Sequence, residues 1–272
     1  MTRKRSRLLL YLPLVAMAIF YLIPVYVMLV TGLKGFEEVN LKTMWNLPSG
    51  IHFDNFIEAY NKLAPHLWNS INMVLPAAVI SSILGSLNGY VLAKWKFKGA
   101  DIIFPLILFG MFIPYQSILI PLVEFMKTIN LYGGLPGLVL THVIYGIPIT
   151  TLTFRNYYAT IPKELVEAAK IDGAGMMGVY WNILLPISIP SFVVVLIWQF
   201  TQAWNDFLFA VVLTSPSNWP VTVALNNMAG SQIVAWNVQM AGSFLTALPT
   251  LLVYIFLGRY FLRGMMAGAL KG

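Results

Sequence analysis

The 272-residue chain contains no cysteine and few charges, and both absences restrict what it can be. Without cysteine there is no disulfide framework and no thiolate metal site. Charged residues make up 10% of the chain, against about 25% in an average soluble domain, while 58% of the residues are hydrophobic. Since a water-soluble core has no use for that much apolar surface, lipid is the expected solvent for much of the chain.

The sequence also lacks the motifs of the common hydrolases and nucleotide-binding proteins. No G-x-x-x-x-G-K-[ST] occurs and no glycine precedes a lysine, which excludes a Walker A phosphate loop; H-E-x-x-H and G-x-S-x-G are absent too. The three histidines, His52, His66 and His142, lie far apart. His142 falls in an apolar stretch, where a packing or cavity histidine and a proton relay both fit. We therefore predict a non-enzymatic chain with no metal site and no cofactor of its own.

Long apolar stretches are what the sequence has instead. A bilayer core needs about 20 apolar residues as helix, and six stretches are that long. They are residues 8–33, 67–93, 102–125, 135–154, 187–213 and 244–262. The first exceeds the apolar region of a signal peptide, about 7–15 residues, and no A-x-A triplet closes it, so we predict that it is retained. The expected fold is all-α, a single polytopic domain over residues 1–272 with six transmembrane helices.

The basic residues predict the orientation of these spans. The net charge of +7 comes from 17 Lys and Arg against 10 Asp and Glu, and the basic residues lie at the ends of apolar stretches rather than in a nucleic-acid patch. With the N-terminus inside, 13 fall inside and four outside, and the excess belongs on the cytoplasmic side. Both termini are therefore expected in the cytoplasm. The inside group is Arg3, Lys4, Arg5, Arg7, Lys94, Lys96, Lys98, Arg155, Lys163, Lys170, Arg259, Arg263 and Lys271; the outside group is Lys34, Lys42, Lys62 and Lys127.

Prolines and small residues indicate that the spans form a packed bundle around a pathway. The third stretch contains Pro105, Pro114 and Pro121, and each proline removes a backbone donor. Such breaks are tolerated where protein or a water-filled cavity satisfies the backbone. The second stretch carries a G-x-x-x-G motif at residues 85–89, which suits close helix packing.

The fifth stretch holds the best candidates for lining that pathway. Gln199, Gln202 and Asp206 lie at i, i+3 and i+7 and so share one face of a helix. Hydrogen bonding to a hydroxylated solute and hydrogen bonding between helices fit this pattern equally. Tyr115 and Gln116 follow Pro114, where a kink can expose them to the same cavity.

A charged segment interrupts the apolar sequence between the fourth and fifth stretches. Residues 161–175 carry five charges and include EAAKIDGAG. Pro162 suits a first helical turn, Glu164 favours a helix N-terminus, and Gly173 can adopt the left-handed conformation that ends a helix. The pattern predicts a helix of two or three turns, a sharp turn and a second short helix over 176–184.

The exposed residues of this segment have two interpretations. Leu165, Ala168 and Ala169 form a small-residue face, which fits either the groove of a partner protein or an amphipathic linker on the membrane surface.

A resemblance to a known family favours the first interpretation. LVEAAKIDGAGMMGVYWNILLPISIP (165–190) resembles the EAA loop of ATP-binding-cassette (ABC) importer permeases, in which EAA precedes a glycine and an I-x-L-P step. Three other stretches, IPYQSILIPL (113–122), AWNDFLFA (203–210) and RYFLRGMMAGALKG (259–272), resemble the carbohydrate-uptake, MalG-like permeases. The residues that fill the EAA pattern are Glu167, Ala168, Ala169, Asp172, Gly173, Ile183, Leu185 and Pro186.

The resemblance implies a permease subunit that moves a sugar across the cytoplasmic membrane of a bacterium or archaeon by alternating access. It implies a second homologous permease, two ATP-binding subunits and an extracytoplasmic sugar-binding protein, with no role for nucleic acid. ATP and Mg²⁺ are expected on the ATP-binding subunits, which agrees with the missing phosphate loop. Within the coupling loop, residues 160–186, the expected contacts with those subunits are Glu167, Ala168, Ala169, Asp172 and Gly173.

Two alternatives remain open. One is the same architecture with a polyol or glycerol phosphate as cargo, although an anionic solute favours intramembrane Arg or Lys, and the sequence has no such cluster. The other is a self-contained secondary transporter or channel, for which acid or histidine relays are typical. Only Asp206 and Glu124 approach the membrane here.

Overall fold

The computed structural model describes residues 2–95, 97–230 and 234–269, with the side chains of 2–10 and 261–269 left out of the description. Within those ranges the chain forms helices and no strand, and Gly133 and Thr214 form an isolated β-bridge. This confirms the all-α fold class. The α-helices are α1 (Thr2–Gly32), α2 (Asp54–Lys94), α3 (Ala100–Phe109), α4 (Leu119–Thr128), α5 (Leu135–Ala159), α6 (Lys163–Ile171), α7 (Met176–Val179), α8 (Leu185–Ile187), α9 (Ile189–Trp204), α10 (Leu208–Leu213), α11 (Val221–Met228) and α12 (Trp236–Ala269).

Four of these helices, α1, α2, α5 and α12, are long and apolar enough to cross a membrane, and the described part of the chain has six candidates if each of two bent helix pairs is one span. The chain is therefore a polytopic helical membrane protein. Helix α2 begins at Asp54, well before the predicted start at residue 67.

The third predicted span is broken rather than continuous. Helix α3 ends at Phe109, short 3₁₀ turns follow, and the chain bends by 89° before α4. Pro114 explains the break, because a proline disfavours the helical conformation at the residue before it. Ile113 accordingly has extended torsion angles, φ −75° and ψ 118°.

The fifth predicted span, 187–213, is also wrong as a single helix. It is divided into α9 and α10, which are separated by residues 205–207. The Asp206 carboxylate accepts hydrogen bonds from the backbone N–H groups of Phe209 (3.3 Å) and Ala210 (3.0 Å). A side chain that caps a new helix in this way competes with continuation of the old one. A further bend of 77° lies at Ser188, before α9.

The chain divides into two compact units. The first contains residues up to Pro65 together with Ala224–Leu248. In this unit Lys34 is buried, and its Nζ donates to the carbonyl oxygen of Thr43 (2.7 Å). Burial lowers the pKa of the Lys34 ammonium, and the negative charge of Glu38 acts against that shift. Asn55 Nδ2 donates to the carbonyl oxygens of Gly32 and Lys34, both at 2.9 Å, which ties α2 to the end of α1.

The second unit, His66–Val223 with the chain from Pro249 onward, contains both groups of predicted site residues. Helices α2 and α5 pack closely in it, as the G-x-x-x-G motif predicted. A Cβ at Gly89 would lie 2.6 Å from the backbone nitrogen of Arg155, and one at Gly85 would collide with the side chain of Thr150. This contact adjoins an aromatic core that includes Tyr90, Phe154, Tyr158 and Tyr180.

Some of the basic residues that predicted the orientation fall outside the description. Lys96 and Lys271 lie outside the described residues, as do the side chains of Arg3, Lys4, Arg5, Arg7 and Arg263.

Candidate solute cavity and coupling loop

A cavity of about 470 Å³ lies in the second unit, where α5, α9 and the break after α9 come together. Its walls combine amide, hydroxyl, carboxylate and imidazole groups with aromatic rings. The lining residues are Tyr115, His142, Tyr145, Gly146, Ile149, Trp198, Gln199, Gln202, Asn205, Asp206, Phe207, Leu208 and Phe209. A cavity with apolar walls and a few convergent polar groups is the usual form of a small-molecule site.

Four of the five predicted pathway residues, Tyr115, Gln199, Gln202 and Asp206, line this cavity. Gln116 does not; its side chain is exposed elsewhere. The predicted geometry was also wrong for Asp206, because α9 ends at Trp204 and the carboxylate reaches the cavity from the break, not from a shared helix face. The cavity therefore depends on the interruption that the sequence pattern missed.

Asp206 connects two elements of the cavity wall. Its carboxylate caps α10, and Oδ2 also lies 3.4 Å from Nε2 of His142 on α5. Both side chains are nearly buried, with 11% of His142 and 12% of Asp206 exposed. His142 Nε2 is buried and makes no hydrogen bond within the described part of the chain, so this approach is an ion pair only when the imidazole is protonated.

The two glutamines have different surroundings. Gln199 is buried, and its Nε2 donates to the carbonyl oxygen of Gly146 on α5 (3.0 Å). Gln202, one turn further along α9, is exposed at the cavity surface. Gln199 thus makes the helix-to-helix hydrogen bond that was one of the two interpretations, while Gln202 presents its amide to the cavity.

Sequence reasoning missed most of the α5 wall. His142, Tyr145, Gly146 and Ile149 lie at i, i+3, i+4 and i+7, so they share one face of α5. That spacing was present in the sequence and could have identified the wall. Phe209 packs on this face, with its ring centroid 5.0 Å from that of Tyr145.

The coupling loop has the local structure that the sequence predicted. Helix α6 covers Lys163–Ile171, and Gly173 follows in the left-handed conformation with φ +85°. The N–H of Gly173 donates to Lys170 O (3.1 Å) and that of Ala174 to Ala169 O (2.9 Å). This pair of bonds is a Schellman motif, which ends the helix and reverses the chain.

The exposed surface of α6 differs from the predicted small-residue face. Val166 and Ala169 are buried against the core of the second unit, so Ala169 packs inside the chain itself. Glu167, Ala168, Asp172 and Gly173 are exposed, as is Leu165.

A second cavity, of about 790 Å³, lies between this helix and the end of α2. Three lysines and two acidic residues are among its lining residues. Lys94 Nζ donates to Ile161 O (2.5 Å), and Lys170 Nζ lies 4.0 Å from the centre of the Trp95 ring. These contacts fix the start and the end of α6 relative to α2.

Apolar helices, a polar cavity between two of them and an exposed charged surface on a short helix are features of a transport permease. The sequence of residues 81–266 matches the family described as binding-protein-dependent transport system inner membrane component, and the chain belongs to that family. The prediction of an ABC importer permease is thereby confirmed.

Individual relatives agree with this assignment. The chain is 48% identical to a probable ABC transporter permease protein of Pyrococcus horikoshii, over 98% of each chain. It is 35% identical to the xylose/arabinose import permease protein XacI of Haloferax volcanii, over 92% of this chain and 89% of the relative. Its fold resembles that of a chain in the crystal structure of a bacterial ABC transporter that imports the acidic polysaccharide alginate, with a TM-score of 0.81, 21% identity and coverage of 94% and 98%.

Proposed function

We propose that this chain carries a sugar across the cytoplasmic membrane of a bacterium or archaeon by alternating access, driven by ATP hydrolysis in partner subunits. The observation that carries the proposal is the cavity, which is lined by Gln202 and Asp206 together with the aromatic residues Trp198 and Tyr115. Hydrogen-bonding groups beside aromatic rings suit a hydroxylated solute with both polar and apolar faces. The pentose cargo in the name of the Haloferax relative supports the same class.

The charges of the cavity argue against the alternative of an anionic cargo. Apart from two tyrosines, the ionisable side chains that line it are those of Asp206 and His142. No lysine or arginine is among the described residues of the lining. A glycerol phosphate would meet a carboxylate without a compensating cation, which is unfavourable. A neutral sugar or polyol avoids that cost, and the names of the relatives favour the sugar.

Partner subunits supply what this chain lacks. The family description names a binding-protein-dependent system, which supports an extracytoplasmic binding protein that delivers the sugar. ATP and Mg²⁺ belong to two ATP-binding subunits, and a second homologous permease completes the pathway. Glu167, Ala168, Asp172 and Gly173 form the exposed docking surface for an ATP-binding subunit, and Ala169 supports it from within.

The cavity assignment predicts that Gln202→Leu weakens sugar uptake selectively. Loss of one hydrogen bond to the solute, about 0.5–1.5 kcal/mol, should weaken apparent affinity by roughly two- to ten-fold. Assembly and basal ATP hydrolysis should stay normal, because Gln202 is exposed to the cavity. The measurement is concentration-dependent uptake of labelled sugar into proteoliposomes.

Gln116→Leu is the matched control, since this glutamine is exposed but does not line the cavity. It should leave affinity unchanged. If Gln202→Leu and the unmodified chain have equal apparent affinities for sugar, Gln202 does not contact the solute.

The topology belongs to the same proposal: six spans, each bent pair counting as one, with both termini in the cytoplasm. The 13-to-4 distribution of basic residues supports it. Because the chain has no cysteine, single cysteines at Ser49 and Ser217 (outside) and at Lys98 and Gly175 (inside) can report it; all four positions are exposed.

An impermeant thiol reagent added to intact cells should label only the Ser49→Cys and Ser217→Cys variants. Permeabilised cells are the control, in which all four should react. Labelling of Gly175→Cys in intact cells would show that the chain has the opposite orientation, with α6 outside the cytoplasm.

A further inference from the structure

Four buried hydroxyl groups meet between the coupling loop and the transmembrane helices. They belong to Ser86 on α2, Tyr158 on α5, Tyr180 after α7, and Ser188 between α8 and α9. All four residues are fully buried. Together these four residues form the hydroxyl cluster.

The hydroxyl cluster forms one continuous chain of hydrogen bonds. Tyr180 Oη donates to Ser86 Oγ (3.0 Å), and Ser86 Oγ lies 2.6 Å from Tyr158 Oη. Tyr158 Oη donates to Ser188 Oγ (3.1 Å), which donates to the carbonyl oxygen of Leu185 (2.9 Å). Because Tyr158 uses its proton toward Ser188, Ser86 must donate to Tyr158. Each hydroxyl therefore donates once, and the chain of donors runs in one direction.

The two ends of this chain lie at the two distortions of the segment that leads from the coupling loop to α9. Tyr180 begins a five-residue π-helical turn, Tyr180–Leu184. The 77° bend before α9 lies at Ser188, three residues after Leu185. Single π-helical turns are rare and are found frequently at functional sites. The hydroxyl cluster thus holds both distortions against α2 and α5.

An apolar core could fill this space without hydrogen bonds, so the use of buried hydroxyls needs a reason. Apolar contacts are non-directional and tolerate sliding between elements, whereas a satisfied hydrogen-bond network fixes one relative position. The chain between α6 and α9 needs a fixed geometry if a displacement of α6 is to displace α9. Helix α9 carries Gln199 and Gln202.

Resting on the docking role proposed for the coupling loop, we infer that the hydroxyl cluster is the positioning element that transmits movement of that loop to α9 and the cavity. Ser86, Tyr158, Tyr180 and Ser188 act through α9 and touch neither sugar nor nucleotide. Loss of a hydroxyl loosens the junction, so that ATP hydrolysis proceeds with less sugar moved per cycle.

The test uses the complete transporter, purified through a tag on this chain and placed in proteoliposomes. Tyr158→Phe interrupts the middle of the donor chain and Ser188→Ala removes its last donor, with Tyr180→Phe as a further variant at the loop end. Co-purification of the ATP-binding subunits and the rate of ATP hydrolysis should remain near normal. Sugar uptake per ATP hydrolysed should fall about five-fold, the effect of about one hydrogen bond.

Ser81→Ala is the matched control. It also removes a buried hydroxyl, one that donates to Ala78 O within α2 (3.2 Å), and it leaves the donor chain intact. Its uptake per ATP should equal that of the unmodified transporter. Equal ratios for all variants would overturn the inference, and so would a fall in uptake that merely follows loss of the ATP-binding subunits, because that result indicates a folding role.

Failure of the proposed function has a different signature. If the unmodified transporter shows no ATP-dependent uptake, the proposed function is wrong and this inference falls with it. A second outcome would leave the proposed function intact. If Gly173→Val lowers sugar uptake per ATP hydrolysed while Tyr158→Phe and Ser188→Ala leave it unchanged, only the inference about the hydroxyl cluster is wrong.

Discussion

Gly173→Val should abolish most sugar uptake while the chain still inserts in the membrane. Gly173 has φ +85°, and a side chain in the left-handed region costs about 1–2 kcal/mol. A Cβ there would meet nothing within 4 Å, so the expected effect is conformational rather than steric. Since the Schellman motif orients the exposed end of α6, we expect the ATP-binding subunits to bind about 5- to 30-fold more weakly. Co-purification of those subunits and uptake in proteoliposomes are the measurements.

The same loop offers a matched control in Gly175. Its φ of −72° and ψ of 175° are allowed for any residue, and a Cβ there also meets nothing within 4 Å. Gly175→Val should therefore transport normally. Gly173→Asn should be intermediate, because asparagine visits the left-handed region more readily than valine. Equal defects in Gly173→Val and Gly175→Val would indicate that bulk, not the turn, matters.

Asp206→Leu should have the second largest effect, a loss of at least about ten-fold in transport. The substitution removes the cap of α10, which costs about 0.5–2 kcal/mol, and leaves His142 without its carboxylate partner. The break that forms part of the cavity wall then loses the two side-chain hydrogen bonds that hold its end to α10. Uptake rate and sugar affinity should both fall, while α6 and its bound subunits are unaffected.

Two variants separate these contributions. Asp206→Asn keeps an oxygen that can cap α10 but removes the charge, so it should assemble well and lose only part of the transport rate. Asp54→Leu is the control for loss of an aspartate, since Asp54 is exposed and its contact with His52 is a surface ion pair of little energetic value. Normal transport by Asp206→Leu would contradict a role for this carboxylate in transport.

Features set by local sequence were predictable from sequence alone. The apolar runs located α1, α2, α5 and α12, and their length follows from the thickness of a bilayer. The turn at Gly173 was predictable because a glycine after a short charged helix satisfies a local hydrogen-bonding pattern.

Features that depend on side chains meeting across the bundle were not predictable in the same way. Hydropathy does not distinguish a continuous span from a broken one, so it predicts one helix where the structure has α9 and α10. The partner of Asp206 is His142, which lies on another helix, and no local pattern pairs them. Ala169 belongs to the EAA pattern, yet its burial depends on how α6 rests on the core.

If ATP hydrolysed by partner subunits drives sugar through this chain, uptake must depend on ATP hydrolysis. The most direct measurement is uptake of labelled sugar by the tagged transporter in proteoliposomes, with the binding protein outside and ATP or a non-hydrolysable analogue inside. We predict accumulation against a gradient with ATP and no accumulation with the analogue. Equal uptake in both conditions would contradict the account and point to a self-contained transporter or channel.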